Sequence, residues 1–118
     1  MRTRPSFEDL LAQAVVETLE EIIGSVAAEA IIRMIAELNQ SSREMALRDP
    51  KALHIGLLGL FGIGGKIIER IILQKLMDSI EVKIDIEGNF LEEIEKLRSA
   101  YSKCDSDSNS NFDLDFDF

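Results

Sequence analysis

Apolar residues recur along most of this chain at the three-to-four-residue spacing of an amphipathic helix. The first such run places Phe7, Leu10, Leu11, Ala14, Val15, Leu19, Ile22 and Ile23 on one face, after a capping-box start at Ser6 and Asp9. Gly24 ends it, and Ser25 is placed to cap a second helix over about 26–38. There Val26, Ala27, Ala30, Ile31, Met34, Ile35 and Leu38 are expected to turn inward. The polar break "NQSS" (39–42) precedes a brief helix in "REMALR" (43–48). Asp49–Pro50 is a strong start signal, an N-cap followed by proline at the first helical position. The helix it opens, "KALHIGLLGLF", is apolar nearly all round and is expected to be the most buried element. Gly62, Gly64 and Gly65 then turn the chain into a long helix over about 66–79, with Ile67, Ile68, Ile71, Ile72, Leu76 and Met77 facing inward.

At "EVKIDIEG" (81–88) the period changes. Val82, Ile84 and Ile86 alternate with Lys83, Asp85 and Glu87, a strand signature that has no partner in its own chain. A lone strand is not stable in water. Residues 82–86 are therefore either an extended connector or a segment that pairs with another chain, across a dimer axis or on a partner's sheet edge. Asn89 with Glu92 caps a last helix, 90–103, whose stripe is Phe90, Leu91, Ile94, Leu97 and Tyr101. Beyond it the composition falls to Ser, Asn and Asp, which cannot offset chain entropy by burial, so disorder is expected there. The expected fold is all-α: a small helical bundle over 1–104 with one short strand-like segment, then a disordered acidic tail over 105–118.

Charge sharpens this division. The 118 residues carry a net charge of −9. Five of the 22 acids lie in 105–118, which has no base; the remaining 17 against 13 bases give residues 1–104 only −4. So acidic a chain repels phosphates rather than releasing their counterions, so direct nucleic-acid binding is not expected and basic surfaces are the natural partners. Cys104 is alone, which excludes a disulfide framework or a metal knuckle. The start "MRTRPSFEDLL" meets acids too early for a secretory signal. The longest uncharged run, Ala52 to Gly65, is 14 residues, too short to span a bilayer. A soluble, cytoplasmic protein is expected.

Catalytic motifs are weak. The stretch "GLFGIGGKI" (59–67) has Leu60 where a phosphate loop needs its first glycine, and Ile67 where it needs a hydroxyl. A dinucleotide fingerprint starting at Gly62 would need glycine at 67. The stretch is instead expected to be a turn at which two helices approach closely. His54, the sole histidine, sits in an apolar helix and reads as structural. Glu92–Glu93, like Glu17, Glu20 and Glu21, is expected on a solvated face. Cys104 and the tail aspartates have no rigid frame for a metal. Neither enzymatic activity nor a cofactor is expected.

The tail carries most of the functional signal. In an extended chain, residues two apart lie roughly 6.5–7 Å from each other. Asp113, Asp115, Asp117 and the terminal carboxylate then form a row of negative charge at a step comparable to the phosphates of a single DNA strand. Phe112, Leu114, Phe116 and Phe118 project opposite, where a strand presents its bases. Single-strand grooves combine a basic track with aromatic stacking platforms, and this pattern suits both. A solubilising tail would gain nothing from three exposed phenylalanines. Fourteen extended residues reach at most roughly 46–50 Å, and tethering raises local concentration towards the millimolar range. Ser106, Ser108 and Ser110, beside aspartates, are candidate phosphorylation sites that would deepen the charge.

Residues 7–80, with "LEEIIGSVAAEAIIRMI", "LRDPKAL" and "LFGIGGKIIERIILQKL", resemble the small archaeal helical domain called the Nitrosopumilus output domain, a signalling output module also found as a stand-alone protein. With the acidic C-terminus added, the whole chain resembles the acidic-tailed small binding subunits of the crenarchaeal replicative B-family DNA polymerase holoenzyme. That resemblance implies a non-catalytic subunit whose tail limits strand displacement during lagging-strand maturation, and it carries over to Asp105, Asp107, Asp113, Asp115 and Asp117. The first resemblance leaves an alternative: a homodimeric signalling or transcriptional output module that binds another protein through its acidic-aromatic tail.

Overall fold

The computed structural model describes residues 4–86 and 88–110, and for 104–110 the backbone alone. Among these residues the chain forms six helices and no strand: α1 (Phe7–Ile23), α2 (Ser25–Leu38), α3 (Arg43–Leu47), α4 (Pro50–Phe61), α5 (Ile63–Ile80) and α6 (Phe90–Ser110). The fold is an all-α bundle. Helix α5 runs through its middle, packing on α1, α4 and α6, while α2 closes one side against α1, α3 and α4. Leu11, Val15 and Leu19 of α1, Ile32 and Ile35 of α2, Leu53 and Leu57 of α4, Ile72 and Leu76 of α5, and Ile94 and Leu97 of α6 form the buried centre.

The starts and stops follow local chemistry. The Ser6 hydroxyl accepts from the Asp9 amide, Ser42 from Met45 and Asp49 from Lys51, each satisfying a first-turn donor that the helix leaves open. Asn89 Oδ1 accepts from the Glu92 amide at 2.9 Å, the cap expected for α6. Gly24, at φ +87°, both ends α1 and precedes α2, whose first residue is Ser25; the capping role expected of that serine is not used. Gly62, at φ +59°, makes the turn between α4 and α5 without help, because Gly64 and Gly65 already lie in α5. The long helix thus begins three residues earlier than the pattern indicated. Gly65 serves the close approach: a Cβ there would stand 2.5 Å from the Leu57 carbonyl oxygen.

Three expectations about burial are corrected. On α2 the core takes Ala28, Ile32, Ile35 and Ala36, whereas Val26, Ala27, Ala30, Met34 and Leu38 face outward and Ile31 is half-buried. This helix is apolar on two faces, so periodicity alone cannot choose between them. Packing against α1, α3 and α4 chooses the face that joins Ala28, Ile32 and Ala36 to Ile35, which rests on the bare backbone of Gly56. Helix α4 is not the most buried element: Ile55 is 49% exposed, and Leu58, Leu60 and Phe61 are only partly covered. On α5, Ile67 points outward near the Gly62 turn that joins α4 to α5.

Helix α6 continues past Lys103 to Ser110, into the first half of the segment expected to lack structure. Residues 104–110 contain neither glycine nor proline, and Ser, Asp and Asn cost only about 0.5–0.7 kcal/mol each relative to alanine in a helix. Nothing in that stretch is a stop signal. The expectation of disorder for 111–118 lies outside the described residues.

Candidate functional site

Two features have functional potential: the acidic C-terminal segment and a cleft where α4, α5 and the 82–89 connector meet. Several of the bundle's charges form ion pairs. Arg43 meets Glu29 at 2.6 Å, Lys75 meets Glu21 at 2.9 Å, Arg48 meets Asp9 at 3.1 Å, and Arg98 bonds Glu8. The guanidinium groups of Arg43 and Arg48 hold the carboxyls of Glu29 and Asp9 below the usual carboxylate range, chiefly through these hydrogen bonds. The Arg98–Glu8 pair and the Tyr101 hydroxyl, which donates to the Pro5 carbonyl at 2.6 Å, tie α6 to the start of α1.

From Tyr101 the helix advances nine residues to Ser110, about 14 Å along its axis. Asp105 and Asp107 lie on this last part of α6. Phe112, Asp113, Leu114, Asp115, Phe116, Asp117 and Phe118 lie outside the described residues.

Residues 82–86 run as an extended connector between α5 and α6, without strand pairing among the described residues. Val82, Ile84 and Ile86 are half-buried and pack on the core, and Lys83 and Asp85 face outward. The Val82 amide donates to the Met77 carbonyl at 3.1 Å, and the Ile84 amide to Met77 Sδ at 3.4 Å. The alternation is therefore explained by one-sided burial of a connector. It leaves the amides of Lys83 and Asp85 turned away from these contacts.

The cleft is lined by His54 of α4; by Lys66, Glu69, Arg70 and Leu73 of α5; and by Ile86, Gly88, Asn89 and Phe90 of the connector and α6. His54 Nδ1 lies 2.6 Å from Glu69 Oε2, and its ring stacks on Phe90 at 6.3 Å between centroids, with 10° between planes. Burial pushes the Glu69 carboxyl above its ordinary range, and the bond to His54 opposes that rise. Glu93, expected on a solvated face, is fully buried; its Oε2 accepts from the Gly88 amide at 2.7 Å and meets Lys96 at 3.4 Å. Its neighbour Glu92 is exposed as expected. Glu93 thereby pins the end of the connector beside Phe90.

Both buried acids were detectable in the pattern. Glu69 stands three and four residues before Ile72 and Leu73, and Glu93 three after Phe90 and four before Leu97, which puts each on an inward stripe. His54 is semi-buried, and its geometry is that of a paired histidine. Among the described residues no three of His, Cys, Asp and Glu are grouped to hold a metal ion, and no helix is long and apolar enough to cross a membrane.

Compared with known proteins, the chain matches no family model, no curated protein and no solved structure. The likenesses drawn above therefore rest on the quoted residues alone.

Proposed function

We propose that this chain is a non-catalytic accessory subunit of a replicative B-family DNA polymerase. In this reading the helical bundle docks on the catalytic subunit, and the acidic tail competes with DNA for a cationic groove. The effect is to limit strand displacement in lagging-strand (Okazaki fragment) maturation. The observation that carries the reading is the segregation of charge. Acids on the bundle are interspersed with bases, and Glu29, Glu21, Asp9 and Glu8 are paired with them, whereas the five aspartates of 105–118 share their segment with no base at all. Alternation of Asp with Phe and Leu over 112–118 adds a stacking face to that charge. Docking has apolar surface to use on α2, where Val26 is 86% exposed and Leu38 57%. The test is a truncation after Cys104. It should still co-purify with the polymerase while the complex binds primer-template DNA more tightly and displaces more strand. Loss of co-purification, or unchanged DNA affinity, overturns the reading.

The outward stripe of α2 favours a second reading, a homodimeric signalling or transcriptional output module whose tail recruits another protein. Sedimentation of the purified chain separates the two. A dimer that Val26→Lys and Leu38→Lys dissociate supports the second reading; a monomer that acquires mass only with the polymerase supports the first.

A further inference from the structure

We propose that the cleft between α4, α5 and the start of α6 is a binding site for a small amphipathic anion, a carboxylate carried on a flat apolar body. This goes beyond the accessory-subunit reading and does not depend on the tail. Its polar end holds two cations. Lys66 and Arg70 stand four residues apart on α5, so they share a face, and neither has an ion pair within 4.0 Å among the described residues. Like charges at that spacing destabilise a helix unless an anion sits between them. Among the described residues that line the cleft the acid is Glu69, which feels the Lys66 charge but is 5% exposed and bound to His54, so neither cation forms an ion pair with it.

The same bond prepares the histidine. One proton lies between Nδ1 and Glu69 Oε2, leaving Nε2 as the ring's remaining polar atom. With that proton on Glu69, the ring carries its own on Nε2, and this N–H donates to a ligand carboxylate.

The opposite wall is apolar: Leu73 and Phe90 are buried, Ile86 is half-buried, and the Phe90 ring lies nearly parallel to the imidazole. A flat body fits beside that stack. The volume, about 190 Å³, is roughly six waters' worth. Sites for drug-sized ligands start at about 300 Å³, so a nucleotide is too large and a benzoate-sized anion is suitable. Glu93 holds Gly88 in place, which keeps this wall closed on one side.

His54 is the sole histidine, so its ring protons give an unambiguous NMR signal. Titration of the full chain with benzoate should move these resonances to saturation. Benzyl alcohol, without the charge, and inorganic phosphate, without the apolar body, should each bind at least about tenfold more weakly. Lys66→Gln and Arg70→Gln should weaken benzoate by about tenfold each, and Lys66→Arg should restore most of the affinity. Both cations are exposed, so these variants should retain the circular dichroism of the parent. A shift that stays linear in benzoate overturns the proposal. So does equal binding of the three probes, or indifference to both Gln variants.

Discussion

Replacing Gly65 by alanine tests the packing at the centre of the fold. An ideal Cβ there would lie 2.5 Å from the Leu57 carbonyl oxygen, 2.8 Å from its carbon and 3.1 Å from the Leu58 nitrogen. All three atoms are backbone, so no side chain can rotate aside, and α4 must shift relative to α5. Overpacking of this kind costs about 1–3 kcal/mol, and a contact with rigid backbone belongs near the upper end. Alanine returns up to about 1 kcal/mol of helix propensity, which leaves a net loss of about 2 kcal/mol. At about 4–8 °C per kcal/mol for a domain of this size, Tm should fall by roughly 8–16 °C. Gly59 is the control. It lies in the interior of α4, and a Cβ there meets no atom within 4 Å, so Gly59→Ala should raise Tm by roughly 4–8 °C. Thermal melts followed by far-UV circular dichroism read both. A Gly65→Ala protein as stable as the parent would refute the close approach of α4 and α5.

Other consequences are more local. Asp49→Ala removes the side-chain acceptor at the start of α4 and should cost about 1 kcal/mol, read as a lower urea midpoint at unchanged slope. Because burial raises the Glu69 carboxyl, the folded chain keeps that proton to higher pH than the unfolded chain does. Its contribution to stability is then complete below the ordinary glutamate value of 4.5 and is lost as pH climbs through the raised one. Urea midpoints measured upward from that value should decline in the parent and lose that part of the decline in Glu69→Gln; identical slopes would contradict this assignment. Hydrogen exchange tests whether residues 82–86 pair with another chain. The Lys83 and Asp85 amides should exchange fast in the isolated protein and slow on addition of a strand-pairing partner. Unchanged rates with that partner bound would remove the pairing idea.

Short-range chemistry made much of this fold legible. Ser6, Asp49–Pro50 and Asn89 act within three residues of themselves, and each cap is where the pattern put it. Gly62 announces its turn for the same reason, since a positive φ favours glycine. What could not be read depends on tertiary choice. Helix α2 offers two apolar faces that share Ile35, and its packing against α1, α3 and α4 decides which one is buried. The hydrogen bond between His54 and Glu69 joins residues 15 apart across the α4–α5 hairpin, so it emerges only once Gly62 and Gly65 have set how those helices meet. Helix α6 extends to Ser110 because residues 104–110, though polar, contain no glycine or proline to stop it. As for the acidic tail, its charge pattern is written in the sequence, while its partner is not.

Exchange of Asp105, Asp107, Asp113, Asp115 and Asp117 for asparagine, at constant length and with every Phe kept, tests the central proposal most directly. The quantity to measure is the affinity of the polymerase complex for primer-template DNA across a salt series. With the natural tail, DNA should bind more weakly at low salt and the difference should shrink as salt rises, because competition between charges is screened. The asparagine version should bind DNA as tightly as a complex whose tail has been removed. Equal affinity of the two full-length forms at every salt concentration would contradict the account.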